Sequence, residues 1–127
     1  MKKEIIISGY GHVAREFIKL VVEKQELLKK KYNLEIVITG IIGSKGMLFQ
    51  KEGIALETLL EHEYGSKALL QYADLSHVPL QKAIFSGDVL VDCTPTNMES
   101  GEPGLSYVMA ALAVSYTHLT LPTMAVV

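Results

Sequence analysis

The stretch Glu4-Ile5-Ile6-Ile7-Ser8-Gly9-Tyr10-Gly11-His12-Val13-Ala14 carries the fold in outline. Three consecutive β-branched isoleucines are the pattern of a strand buried on both faces, and such strands belong to parallel sheets covered by helices. Gly9-Tyr10-Gly11 breaks the strand. From His12 to about Lys30 the apolar period turns helical, with Val13, Phe17, Leu20, Val21, Leu27 and Leu28 read as one stripe. Gly9 to Ala14 is a G-x-G-x-x-A segment, and each small residue in it has a mechanical role. Gly9 permits the tight turn out of the strand, Gly11 leaves room for a diphosphate to approach the backbone, and Ala14 lets the helix pack close to the sheet. The helix N-terminus then offers free N–H groups and a partial positive charge to phosphates. Alone the motif is weak and could be a structural glycine turn. Its place between a buried strand and an amphipathic helix favours a dinucleotide site, in which His12 is a candidate phosphate contact. His12 also fits a plain exposed side chain of the first turn.

Working outward, Lys29-Lys30-Lys31 suits the negative end of the helix dipole and reads as a solvated helix end. Tyr32-Asn33 turns into a second strand, Glu35 to Ile42, completing a βαβ unit. The fold class expected is α/β, a partial Rossmann fold with a mostly parallel sheet and flanking helices. Gly43-Ser44-Lys45-Gly46 is expected as a loop. The end of the second strand usually sets cofactor choice, an acidic residue there binding the ribose 2′-hydroxyl. Ser44 and Lys45 stand there instead, and a hydroxyl with an ammonium suits a 2′-phosphate. NADP is therefore favoured over NAD, with Lys45 as a merely solvated lysine the bland alternative.

Further along, Glu52 to Glu63 reads as a short helix, Gly65 to His77 is weakly patterned, and Pro79 to Ser86 reads as another short helix. Val89-Leu90-Val91-Asp92-Cys93 is a third apolar strand, and Leu105 to Ala113 begins a helix. In an open parallel sheet the ligand lies beyond the carboxyl ends of the strands. The loop after the third strand should therefore face the same crevice as Gly9. Thr94, Thr96 and Asn97 offer hydroxyl and amide groups for a ribose or a nicotinamide amide, and Cys93 reads as a small buried residue.

The chain has 127 residues and 49% hydrophobic content, in the range of one globular domain. Its net charge of -2 speaks against a nucleic-acid or anionic-membrane surface. One cysteine excludes an internal disulfide and fits a reducing compartment. No apolar run approaches the ~20 residues that span a bilayer, so a cytoplasmic location is expected, with a small-molecule substrate and no metal, nucleic-acid or membrane partner.

Asp92-Cys93-Thr94-Pro95-Thr96-Asn97 and Glu99-Ser100-Gly101-Glu102-Pro103-Gly104-Leu105-Ser106 resemble homoserine dehydrogenases. The segments Gly9 to Arg15 and Thr39 to Gly46 resemble them too. The resemblance runs over residues 1–113, expected as an incomplete NAD(P)-binding Rossmann domain. It implies NAD(P)-dependent interconversion of aspartate semialdehyde and homoserine, with cofactor phosphates at Gly9, Gly11, His12 and Val13. It places Thr94, Thr96 and Asn97 beside the nicotinamide and Glu102 near the reaction centre. Glu102 also fits a carboxylate favoured by a helix dipole. The family's next strand brings a substrate lysine, followed by a substrate and oligomerisation domain. Residues 114–127 depart from that pattern, and Val114 to Thr123 match one reading frame of a transposase adapter used in sequencing libraries. They are expected to be a non-native tail, with a real tail forming an edge strand as the alternative, and the chain is expected to be inactive alone. Two alternatives remain: a free-standing nucleotide-sensing module, and another NAD(P)-dependent semialdehyde or amino-acid oxidoreductase.

Overall fold

The computed structural model describes residues 1–94 and the backbone of Thr117–Thr120. The element order is β1 (Lys2–Ser8), α1 (His12–Tyr32), β2 (Glu35–Gly43), β3 (Gly46–Phe49), α2 (Leu56–Leu60), α3 (Ser66–Ser76), β4 (Val89–Asp92) and β5 (Thr117–Thr120). They form a five-stranded sheet in the order β3-β2-β1-β4-β5. All neighbours run parallel except β2 and β3, which pair antiparallel.

The isoleucine run does what its pattern required. Ile5 and Ile7 belong to the core cluster shared with α1, α2 and α3, whereas Ile6 belongs to a second cluster with Ile42, Met47 and Leu90. The register between β1 and β2 shifts after Ile5, so that Ile5 opposes Ile38 and Ile7 opposes Ile41. That irregularity lets Ile38 and Ile41, three residues apart, join the same cluster. Helix α1 ends at Asn33 in the left-handed conformation (φ 51°, ψ 40°), which asparagine tolerates well.

Several expectations are corrected. On α1 the face toward the sheet is Ala14, Ile18 and Val21, with Val13 and Phe17 partly buried, while Leu20 and Leu27 are each 51% exposed. At about 100° per residue, positions 20 and 27 lie well round the helix from 14, 18 and 21. The loop after β2 is a hairpin turn: Gly43 pairs with Gly46, and Met47 and Leu48 enter the core from β3. The helix expected over 52–63 is confined to Leu56–Leu60. The weakly patterned 65–77 stretch is a genuine helix, α3, burying Ala68, Leu69, Tyr72 and Ala73. Residues 79–86 form no helix. Gln81 instead bridges Met47 through both backbone bonds (2.7 and 3.0 Å), and Ala83 and Phe85 cover the second sheet face. Pairing with the free edge of β3 outweighs local helical preference there. The backbone of Thr117–Thr120, inside the stretch read as foreign, pairs in parallel with β4. Among the described residues no helix is long and apolar enough to cross a membrane.

Candidate functional site

Strands β1, β2 and β4 run parallel, so their carboxyl ends share one edge of the sheet; Gly9 and Ser44 follow β1 and β2 directly, and Thr94 follows β4 after Cys93. The edge is tied together by backbone bonds. Gly9 N–H donates to the Ile42 carbonyl (2.7 Å), Cys93 N–H to the Ser8 carbonyl (2.8 Å), and Gly65 N–H to the Tyr10 carbonyl (2.6 Å).

Gly9 sits at φ +89°, and a Cβ there would lie 3.0 Å from the Cys93 carbonyl group and the Thr94 nitrogen. The turn thus needs glycine twice, for its conformation and for its contact with the β4 loop. Gly11 differs. Its backbone is extended (φ -99°, ψ -158°), and a Cβ there would meet nothing within 4 Å among the described residues. Nothing among them demands glycine at 11. Gly11 is also the N-cap of α1, with no side-chain cap bond and no acidic residue in the first turn. The first helical bond is Arg15 N–H to the Gly11 carbonyl (3.0 Å), which leaves the His12, Val13 and Ala14 amides without intrahelical acceptors. A helix end of this kind has the chemistry that favours an anion. The His12 side chain is exposed, its ring 4.0 Å from that of Tyr64, and Val13 packs partly buried against the core.

Buried Asp92 organises the other wall. Its Oδ1 accepts from Ser8 Oγ (2.8 Å), Thr94 N–H (3.0 Å) and Thr94 Oγ1 (2.6 Å). One carboxylate oxygen therefore locks the end of β1 to the start of the β4 loop. Ser44 and Lys45 form the exposed tip of the β2–β3 hairpin, and Ser44 Oγ lies 2.6 Å from Ser66 Oγ. Arg15 donates to the carbonyls of Leu60 (2.8 Å), His62 (3.3 Å) and Glu63 (2.7 Å), anchoring the first turn of α1 to the segment after α2. The structure thus brings Gly9, Gly11, His12, Val13, Ser44, Lys45 and Thr94 to one edge. Thr96, Asn97 and Glu102 lie outside the described residues.

Sequence reasoning missed Ser8, Asp92, Arg15 and Ser66 as organisers. Two left a signal: an acidic residue ending an apolar buried strand needs partners, and a cation in the first turn of a helix opposes the dipole unless something else holds it. Ser66 left none.

Cys93 is a buried structural residue. Burial pushes its thiol from the ordinary 9.0 up to about 12, and the Asp92 carboxylate adds to the effect. Burial likewise raises Tyr10 from 10.0 to about 12, with Arg15 partly opposing it. Both groups are neutral when folded. Their folded values lie above the unfolded ones, so this contribution to stability is intact below about pH 9 and declines as pH rises towards about 12. The native chain is expected to resist iodoacetamide at neutral pH and to react once denatured, and its melting temperature is expected to fall above about pH 9. Rapid native alkylation at neutral pH would show that Cys93 is exposed.

No protein-family model matches the chain. In sequence it is 27% identical over 110 residues to the homoserine dehydrogenase of Methanocaldococcus jannaschii, an alignment covering 84% of this chain and 32% of that enzyme. Among solved structures, a hyperthermophilic archaeal homoserine dehydrogenase in complex with NADPH superposes with a TM-score of 0.67 at 19% identity, over 94% of this chain and 35% of that one. The Thermoplasma acidophilum homoserine dehydrogenase gives 0.65 at 15% identity, also over 94% and 35%. The Archaeoglobus fulgidus protein described as a putative homoserine dehydrogenase gives 0.61 at 20%, over 93% and 33%. The chain is thus similar in sequence to a homoserine dehydrogenase and in fold to several, and it spans about a third of their length.

Proposed function

We propose that the chain is the NAD(P)-binding part of a homoserine dehydrogenase. The observation that carries this reading is the bare N-terminus of α1: an extended Gly11 with no described atom where a side chain would stand, first-turn amides without intrahelical acceptors, and no acidic residue there. A diphosphate fits that chemistry because its charge answers both the dipole and the unpaired donors. Gly9, Gly11, His12 and Val13 would hold the phosphates. Ser44 and Lys45 would meet the ribose 2′ position and favour NADP over NAD. Thr94, fixed by Asp92, would border the nicotinamide, together with Thr96 and Asn97. When bound, the nicotinamide supplies the hydride acceptor or donor for interconverting an alcohol and an aldehyde.

In the parent enzyme the substrates would be homoserine and aspartate semialdehyde. Proton transfer to and from the substrate oxygen needs a positioned acid or base. Glu102 is the one candidate proposed for that neighbourhood, and the remaining machinery would belong to the two-thirds of the relatives' length that the chain does not span. Residues 114–127 are proposed to be foreign to that enzyme.

Titrating the chain with NADPH and following nicotinamide fluorescence tests the proposal. Saturable binding is expected, tighter for NADPH than for NADH, with negligible oxidation of homoserine. Absence of saturable binding of either dinucleotide would refute it.

A further inference from the structure

Ser66 opens α3, an eleven-residue helix whose N-cap, Gly65, makes no side-chain cap bond and whose first turn has no acidic residue. It comes from the far side of the chain, 22 residues after Ser44, yet the two hydroxyl oxygens are 2.6 Å apart. Ser66 Oγ also accepts the Ser44 backbone N–H (3.2 Å). Gly65 is pinned to the glycine turn through the Tyr10 carbonyl (2.6 Å), which fixes the start of α3 against the crevice.

We propose that Ser66 is a positioning residue for cofactor specificity, setting the Ser44 hydroxyl to donate to the 2′-phosphate of NADP. The inference rests on the reading of this edge as a dinucleotide site. Its chemistry follows from hydrogen-bond bookkeeping. With one Ser66 lone pair taken by the Ser44 N–H, the Ser66 hydrogen is free to donate to Ser44 Oγ. Ser44 then has an accepted bond and a hydrogen of its own left over. That hydrogen lies at the tip of the β2–β3 hairpin, where a 2′ substituent falls in this fold. A hydroxyl that accepts a bond becomes a stronger donor, so the relay polarises Ser44 toward an anion. Exposed Lys45 beside it supplies charge, and the α3 N-terminus adds its dipole. A 2′-hydroxyl, being neutral, gains little from the same arrangement.

The test is a double-mutant cycle on the full chain, Ser44→Ala, Ser66→Ala and both, titrated with NADPH and NADH, with Ser66→Thr as the conservative variant. Each alanine is expected to weaken NADPH about tenfold, the loss of one hydrogen bond to a charged group, and to leave NADH within about twofold. The double variant should be little worse than either single, because the hydroxyls act as a unit, and Ser66→Thr should keep most of the NADPH preference. A thermal melt of each variant beside the parent serves as the folding control, and Ser44→Ala, at an exposed turn, carries the same expectation should Ser66→Ala fail to fold. Equal weakening of both dinucleotides, no weakening of either, or additive losses would overturn the relay while leaving the dinucleotide site standing. A parent chain that binds neither would overturn that site and the relay with it.

Discussion

Replacing Gly9 with alanine is expected to destabilise the chain by about 2–4 kcal/mol, whereas replacing Gly11 is expected to change stability by less than about 1 kcal/mol and to abolish nucleotide binding. The contrast follows from two backbones two residues apart. Gly9 has φ +89°, where a side chain costs on the order of 1–3 kcal/mol. Its Cβ would also press on backbone atoms of Cys93 and Thr94 at 3.0 Å, and backbone cannot step aside as a side chain can. Gly11 is extended and a Cβ there would meet nothing among the described residues. Alanine there loses a little as an N-cap and gains a little from unfolded-state entropy, which roughly offset. Its methyl group, however, would fill the space left for the diphosphate, and the affinity loss should be on the order of 100-fold or more, about 2.7 kcal/mol. Thermal melts and NADPH titrations of both variants separate the two roles. Gly11→Ala that binds NADPH like the parent would remove the reason for placing phosphates there.

Asp92→Ala is expected to cost about 3–5 kcal/mol. It would remove the one buried oxygen on which the Ser8 hydroxyl, the Thr94 hydroxyl and the Thr94 amide converge. Each buried donor without an acceptor costs about 1–3 kcal/mol. Against a total stability of roughly 5–15 kcal/mol for a domain, that loss would leave little folded chain. Asp92→Asn keeps an acceptor oxygen at the same place and should lose only about 1–2 kcal/mol, the difference between a charge-assisted and a neutral hydrogen bond. Urea unfolding of the two variants beside the parent measures this. An alanine variant within about 1 kcal/mol of the parent would mean that the carboxylate does not tie β1 to the β4 loop.

The elements around the glycine turn were legible because their signals are strong and local. Ile5-Ile6-Ile7, Ile36-Val37-Ile38 and Val89-Leu90-Val91 are apolar, mostly β-branched runs with few other readings, and Val13, Phe17 and Val21 recur at helical spacing. The motif residues Gly9, Gly11, Ser44 and Thr94 could be placed on one edge from topology alone, because parallel strands put their carboxyl ends together. Less was legible where the signal is diluted or non-local. Helix α3 buries Ala68, Leu69, Tyr72 and Ala73, but Leu70 and Leu75 stand 40% and 67% exposed, which blurs the stripe. Leu20 and Leu27 widened the apparent face of α1 in the same way. Strand β3 is only four residues long, and its partner at Gln81 lies far along the chain. Pairing across such separations has no short-range signature. The same holds for the Ser44–Ser66 and Arg15–carbonyl contacts, which depend on how α2 and α3 return to the sheet edge.

The first turn of α1 is the proposed seat of the dinucleotide diphosphate. Backbone amide NMR during NADPH titration tests it directly. The largest shifts are expected at Gly11, His12 and Val13, with smaller ones at Ser44 and Thr94. Saturable binding with those five amides unmoved, and the shifts clustered elsewhere on the chain, would contradict it.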